Sequence, residues 1–159
     1  MYTNYSLWAW FVQLLSLRPH QVIALDLSQP YLLRWYLLPR NRFFNLYLHK
    51  FLRDDEDRAL HDHPWWFVSL MLWGSYYETR ATVLEPDIHA VTKRSAPSIC
   101  YRNVLCRHRV TLCKDSAGKP TPCWTIVLTG PKVKSWGFWC PKGWIHWKEF
   151  ENQGGCGED

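Results

Sequence analysis

Apolar positions recur with two different periods along this chain. Leu7, Trp10, Phe11, Leu14 and Leu15 fall at i, i+3, i+4, i+7 and i+8, which places them on one stripe of a helix spanning 7–17. Ser6 supplies a capping oxygen at its start, and Arg18-Pro19 ends it, because proline lacks the amide hydrogen a helix needs. Beyond the helix the period drops to two. Short runs rich in Trp, Tyr, Val and Leu occupy 21–27, 31–38, 43–52, 58–72, 75–84, 99–113, 124–129, 133–140 and 143–150. Gly74, Asp115-Ser116-Ala117-Gly118, Gly130-Pro131 and Pro141-Lys142-Gly143 punctuate them as turns. Many short strands without interleaved helices predict an all-β sandwich or barrel. The 159 residues suit a single domain over 1–150, followed by a polar, glycine-rich tail at 151–159 that is expected to be disordered.

The chemistry concentrates in His61-Asp62-His63-Pro64-Trp65, inside the run 58–72. Strand side chains alternate faces, so His61 and His63 are expected on one side and Asp62 on the other. Their Cα atoms would lie about 6.6 Å apart, close enough for two imidazoles to meet at one ion. A third histidine has matching surroundings. In 99–113, Val104, Cys106, His108, Val110 and Leu112 form one face, and Arg107, Arg109 and Thr111 the other. His108 is therefore expected to point inward. Three inward imidazoles with open positions suit Fe(II), Zn(II), Mn(II), Ni(II) or Cu(II). The alternative is a set of core histidines satisfied by backbone or carboxylate partners.

This pattern resembles the cupin superfamily. His61 and His63 match the His-x-His of its first motif, Gly74 matches the later glycine, and His108 matches the histidine of the second motif. Where that motif often carries a glutamate, this chain has Phe67 or Val68. The resemblance therefore implies a three-histidine set, like that of the thiol dioxygenases within the superfamily. The string from the His-Asp-His-Pro-Trp block through His108-Arg109-Val110 to Trp136-Gly137-Phe138 is also similar to uncharacterised bacterial and phage-encoded cupin proteins, over about Tyr31 to Phe150. The implied fold is an all-β, cupin-like double-stranded β-helix, or jelly roll, with a short N-terminal helix. The implied cofactor is a divalent metal ion, Fe(II) first and Zn, Mn or Ni next.

Composition changes this picture little. Aromatic residues reach 16%, with 11 Trp, which fits either a barrel packed with rings or an aromatic-walled pocket. The net charge of +5 is dispersed, and no Lys/Arg run marks a nucleic-acid surface. The apolar helix is too short to span a bilayer and lacks a basic face, so it is expected to pack on the barrel or to form a homodimer contact. The six cysteines contain no Cys-x-x-Cys pair and no export signal precedes them, so reduced thiols and a cytoplasmic location are expected. Cys106 reads as a small core residue.

Glu78 is the nearest carboxylate after the histidine pair, suited to orienting a ligand imidazole or acting as a base. Arg102 shares the parity of His108 and is expected to grip a substrate carboxylate. Trp66, Tyr76 and Trp136 are expected pocket walls. His49 is either a further ligand or a satisfied core residue, and His146 is a weaker pocket residue. Together these predict a metal-dependent enzyme on a small-molecule substrate, with Fe(II)-type dioxygenation as the reaction. Non-catalytic binding of a metal or small ligand is the alternative, as is a metal-free sugar isomerase or epimerase.

Overall fold

Two six-stranded antiparallel sheets face each other, and inward-pointing side chains from both fill the space between them. The computed structural model describes residues 6–24, 30–54, 59–81 and 89–157. Helix α1 (Leu7–Leu15) starts where Ser6 Oγ accepts the Ala9 amide at 3.2 Å. It ends two residues earlier than expected, and Leu17 takes a left-handed φ of 57°. Trp10 holds it to the sheet by donating Nε1–H to the Tyr36 carbonyl. No residue of α1 is fully buried, but Trp10 and Leu14 are half-buried, so the helix rests on the sheet by part of its apolar stripe and leaves Leu7, Phe11 and Leu15 exposed.

One sheet runs β1 (Gln21–Ile23), β2 (Leu32–Tyr36), β3 (Asn45–Phe51), β10 (Cys123–Thr129), β5 (Phe67–Trp73), β8 (Ser98–Arg102). The other runs β12 (Gly143–His146), β11 (Gly137–Cys140), β4 (Leu60–His61), β9 (His108–Leu112), β6 (Ser75–Ala81), β7 (His89–Ser95). The expected strand parts at 25–27, 58 and 82–84 lie outside the described residues. Strict alternation in β10 buries Cys123, Thr125, Val127 and Thr129, and the same rule buries Phe67, Ser69 and Met71 in β5. Met71, Tyr76, Val110, Leu112 and Cys123 pack into one core cluster bridging the sheets. Burying Met71 or Leu112 contributes about 1.5–3 kcal/mol each. Gly74 links β5 to β6 across the two sheets at a φ of 84°. A Cβ there would lie 2.8 Å from both the Cys123 Cβ and the Pro122 carbonyl, so no other residue fits.

The structure departs from the sequence pattern in four places. The run 58–72 is two strands, β4 and β5, because Pro64 cannot continue a ladder. The run 99–113 is also two strands, β8 and β9, which lie in opposite sheets, and Cys106 sits in their connection rather than on the inner face of β9. Strand β7 has no expected counterpart, since it is a polar edge strand paired only to β6. The run 143–150 turns into helix α2 (Trp147–Gln153), capped by His146 and stopped by left-handed Gly154. The expected tail from 151 is thus partly helical, and its chain reversal brings Cys156 to a Cα–Cα distance of 5.5 Å from Cys140, with which it forms a disulfide. The expectation of six reduced thiols is corrected accordingly: Cys100, Cys106, Cys113 and Cys123 are free. No helix among the described residues is long and apolar enough to cross a membrane.

Thiol titration of the denatured, unreduced chain should find four thiols per chain. Closing a loop with a sequence separation of 16 residues restricts the unfolded chain, so Cys156→Ser should lower the free energy of unfolding by about 3 kcal/mol. Six thiols, or an unchanged urea midpoint, would remove the crosslink from the account.

Candidate metal centre

His61 ends β4, His63 follows in the turn before β5, and His108 opens β9. His61 and His108 are direct partners across the β4–β9 pair. Asp62, between the two histidines, points away and is buried. Its carboxylate accepts the Gly137 amide at 3.0 Å, the Trp139 indole N–H at 3.3 Å and the Lys134 ammonium at 2.6 Å. These contacts pin the turn and leave His61 and His63 together on the inner side.

The three rings meet in pairs, with centroids 5.0 Å apart for His61–His63, 4.9 Å for His61–His108 and 5.1 Å for His63–His108. One nitrogen from each lies within 4.8 Å of the others, and the Nε2 atoms of His63 and His108 are 2.8 Å apart. Two ligands at adjacent positions, each about 2.1 Å from one ion, sit about 3.0 Å apart. Phe67 packs edge-on against His63, and Phe138 against His61. His63 is held well below the ordinary histidine pKa, first by burial and then by the other two imidazoles. Neutral imidazole is the form that binds a metal.

Glu78 sets the orientation of His108. It lies on β6, 1% exposed, and its Oε1 accepts from His108 Nδ1 at 3.0 Å. That bond puts the proton on Nδ1 and leaves the Nε2 lone pair facing the other histidines. Arg102 reaches across from the opposite sheet. Its Nε donates to Glu78 Oε1 at 2.8 Å, its Nη2 donates to Oε2, and its Nη1 donates to the Tyr101 carbonyl. Arg94 adds a longer contact from β7 at 3.4 Å. Burial by itself raises the Glu78 carboxyl pKa. The hydrogen bonds and charges of His108 and Arg102 outweigh it and hold the group well below the usual carboxylate range. Arg102 is thus spent on Glu78 rather than turned to a substrate.

The remaining candidates fall elsewhere. His49 stands outside the three-histidine group, and its Nε2 accepts from Arg34 Nε at 2.8 Å. His146 caps α2 and bonds Ser135 Oγ. Tyr76 belongs to the core, Trp136 stacks on Trp147, and Trp66 packs near Tyr101 and closely against Gly130. The Cys106 thiol is pushed up to about 11, chiefly by burial, and is chemically quiet. Arg34 escaped the sequence reading. Its signal was a charged residue at an inward parity position, between Leu32 and Tyr36.

No protein-family model matches the sequence, and a search of curated proteins finds no match. Solved structures do match. A crystal structure of FeII HppE superposes with a TM-score of 0.53 at 15% identity, over 70% of this chain and 56% of that one. The chain therefore spans little more than half of HppE. An uncharacterised conserved protein with a double-stranded β-helix domain, from Klebsiella pneumoniae subsp. pneumoniae MGH 78578, superposes with a TM-score of 0.50 at 14% identity, over 74% of this chain and 96% of that one. The fold is a double-stranded β-helix. A cupin superfamily protein from Desulfitobacterium hafniense DCB-2 lies further off, at a TM-score of 0.46 and 13% identity over 72% of this chain and 81% of that one. Within this barrel the three histidines occupy one sheet and its adjoining turn, and Arg102 approaches from the other sheet.

Glu78→Ala should cost about 3–5 kcal/mol in urea unfolding, because it strands a buried arginine without its partner. The pH dependence has a definite sign. A carboxyl held low in the folded state contributes its stability in full above its unfolded pKa of about 4.3, and loses it as the pH falls below that value. The native protein should therefore weaken steadily from pH 5 downward, and Glu78→Gln should flatten that slope. Equal slopes for the two proteins would show that Glu78 does not carry it.

Proposed function

We propose that the protein is a metal-dependent cupin enzyme acting on a small molecule, with Fe(II)-type dioxygenation as its reaction. The observation that carries this reading is the convergence of His61, His63 and His108, one of them oriented by a buried carboxylate. The donor set fits a divalent ion: three nitrogens near one another, with Nδ1 of His108 already engaged and its Nε2 turned inward. Zn, Mn and Ni satisfy the same donors, and Fe(II) is favoured because three neutral ligands leave open positions for substrate and dioxygen. When bound, the metal supplies Lewis acidity and, as Fe(II), redox chemistry.

The chain's own residues supply placement. Asp62 fixes the turn that carries His63. Glu78 holds the His108 ring, and Arg102 holds Glu78, so both act as positioning residues. Phe67 and Phe138 wall the imidazoles and restrict water. A cytoplasmic location belongs to this reading, and the Cys140–Cys156 bond is the feature that weighs against it. Metal binding without catalysis is the second reading. It is favoured by one observation: the two side chains that the sequence marked for substrate chemistry, Glu78 and Arg102, grip each other.

Purified protein should carry about one divalent metal ion per chain by elemental analysis, and His63→Ala or His108→Ala should lower this at least tenfold with the circular dichroism spectrum retained. Oxygen uptake by the Fe(II)-loaded protein across a panel of small molecules then separates the two readings. Metal retention without uptake favours binding alone. Failure to bind any divalent metal sinks both.

A further inference from the structure

Among the described residues, Arg80, Arg94 and Arg102 all reach the Glu78 carboxylate, whereas Arg34 has no carboxylate partner. Arg102 is neutralised by Glu78. Arg34 lies on β2 between buried Leu32 and Tyr36, on the inward parity, half-buried. Cross-strand register sets it beside His49 of β3 and Gln21 of β1. Its Nε donates to His49 Nε2 at 2.8 Å, its Nη1 donates to Gln21 Oε1 at 3.1 Å, and its guanidinium lies over the Tyr47 ring at 4.9 Å. All three partners are neutral. His49 accepts at Nε2, and burial first, then the Arg34 charge, hold it well below the ordinary histidine pKa. No carboxylate of the described residues lies within ion-pair distance of Arg34. A half-buried guanidinium whose hydrogen-bond partners are all neutral is suited to take an anion.

Three further observations bear on where such an anion would sit. The Nη2 group of Arg34 makes no hydrogen bond, yet it is not sealed from solvent, so a ligand can reach it. Arg40 stands over the Tyr36 ring at 5.4 Å and bonds the Tyr47 side chain, adding positive charge from the same side. Arg34 also points inward from one sheet while His61 and His108 stand on the sheet that faces it, so the guanidinium and the histidine cluster look into the same inter-sheet space.

We propose that Arg34 anchors a compact oxyanion, a carboxylate or phosphate group, carried by the small molecule whose other end reaches the three histidines. This rests on the metal-centre reading for the role of that other end. The planar guanidinium, fixed at Nε and Nη1, presents its remaining N–H groups in the fork geometry that oxyanions accept. The role that sequence parity assigned to Arg102 thus passes to Arg34.

The test uses metal-free full-length protein, so that it stands apart from the metal reading, while elemental analysis of the metal-loaded protein reports on that reading alone. The Arg34 Nε–H resonance is followed in nitrogen-15 spectra during titration with inorganic phosphate and, separately, with acetate. A saturable shift with at least one of them supports the proposal, and the tighter of the two identifies a tetrahedral or planar head group. Arg34→Gln should weaken that binding about tenfold or more, Arg34→Lys should keep part of it, and Arg107→Gln, whose guanidinium lies over Trp139, should leave it unchanged. A non-saturating shift, or unchanged affinity in Arg34→Gln, overturns the proposal. Should Arg34→Gln fail to fold, an arginine-selective dicarbonyl reagent on the native protein decides by peptide mass mapping. Phosphate or acetate protecting Arg34 supports the anchor, and protection by neither overturns it.

Discussion

The Glu78 carboxylate is the constraint on which the interior depends. It is a buried charge on β6, and it survives only because it is ligated from both sheets: by His108 from the neighbouring strand β9 and by Arg102 from β8 opposite. Removing Arg102 strips the carboxylate of its principal counter-charge in a low-dielectric interior, and removing His108 leaves one oxygen short of a donor. The same bonds fix the distance between the sheets at that level and the tautomer of His108. Sheet packing and site chemistry are therefore one arrangement seen from two sides.

A second constraint sits at Asp62. Two histidines separated by one residue share a face in an ideal strand, but the strand stops at His61 and Pro64 follows. What keeps His63 inward is the Asp62 carboxylate, held by Gly137, Trp139 and Lys134. The motif works as a pinned turn rather than as a strand. Its middle residue, which sequence parity discards as a ligand, is the one that positions the outer two.

Features carried by local chemistry were legible in the sequence. The Ser6 cap, the alternation in β5 and β10, the positive-φ Gly74 and the meeting of His61, His63 and His108 all follow from side-chain type and spacing. Features set by non-local geometry were not. Parity carried from Arg102 to His108 assumes one continuous strand. The chain instead crosses between sheets at 103–107, so both residues point inward from opposite walls. Strand β7 is polar because it is an edge with one partner, so no apolar run marks it. Helix α2 and the Cys140–Cys156 bond depend on a reversal at Gly154 that brings distant residues together. Arg34 was passed over because a lone charge in an alternating strand reads as a solvent-facing residue until its register partners are known.

The interior is more highly charged than folding requires. Among the described residues Glu78, Arg102 and several histidines and tyrosines are buried, in positions that aliphatic residues fill in the core cluster of Met71, Val110 and Leu112. Buried ion pairs seldom stabilise a fold more than well-packed apolar residues of the same volume. Stability therefore does not account for Glu78 and Arg102, whereas the need to hold one imidazole in one tautomer does. The same reasoning extends to Arg34, which stands half-buried on the inward parity beside neutral partners. Stability alone gives little reason for a guanidinium there, and a bound anion would stabilise both the residue and the fold.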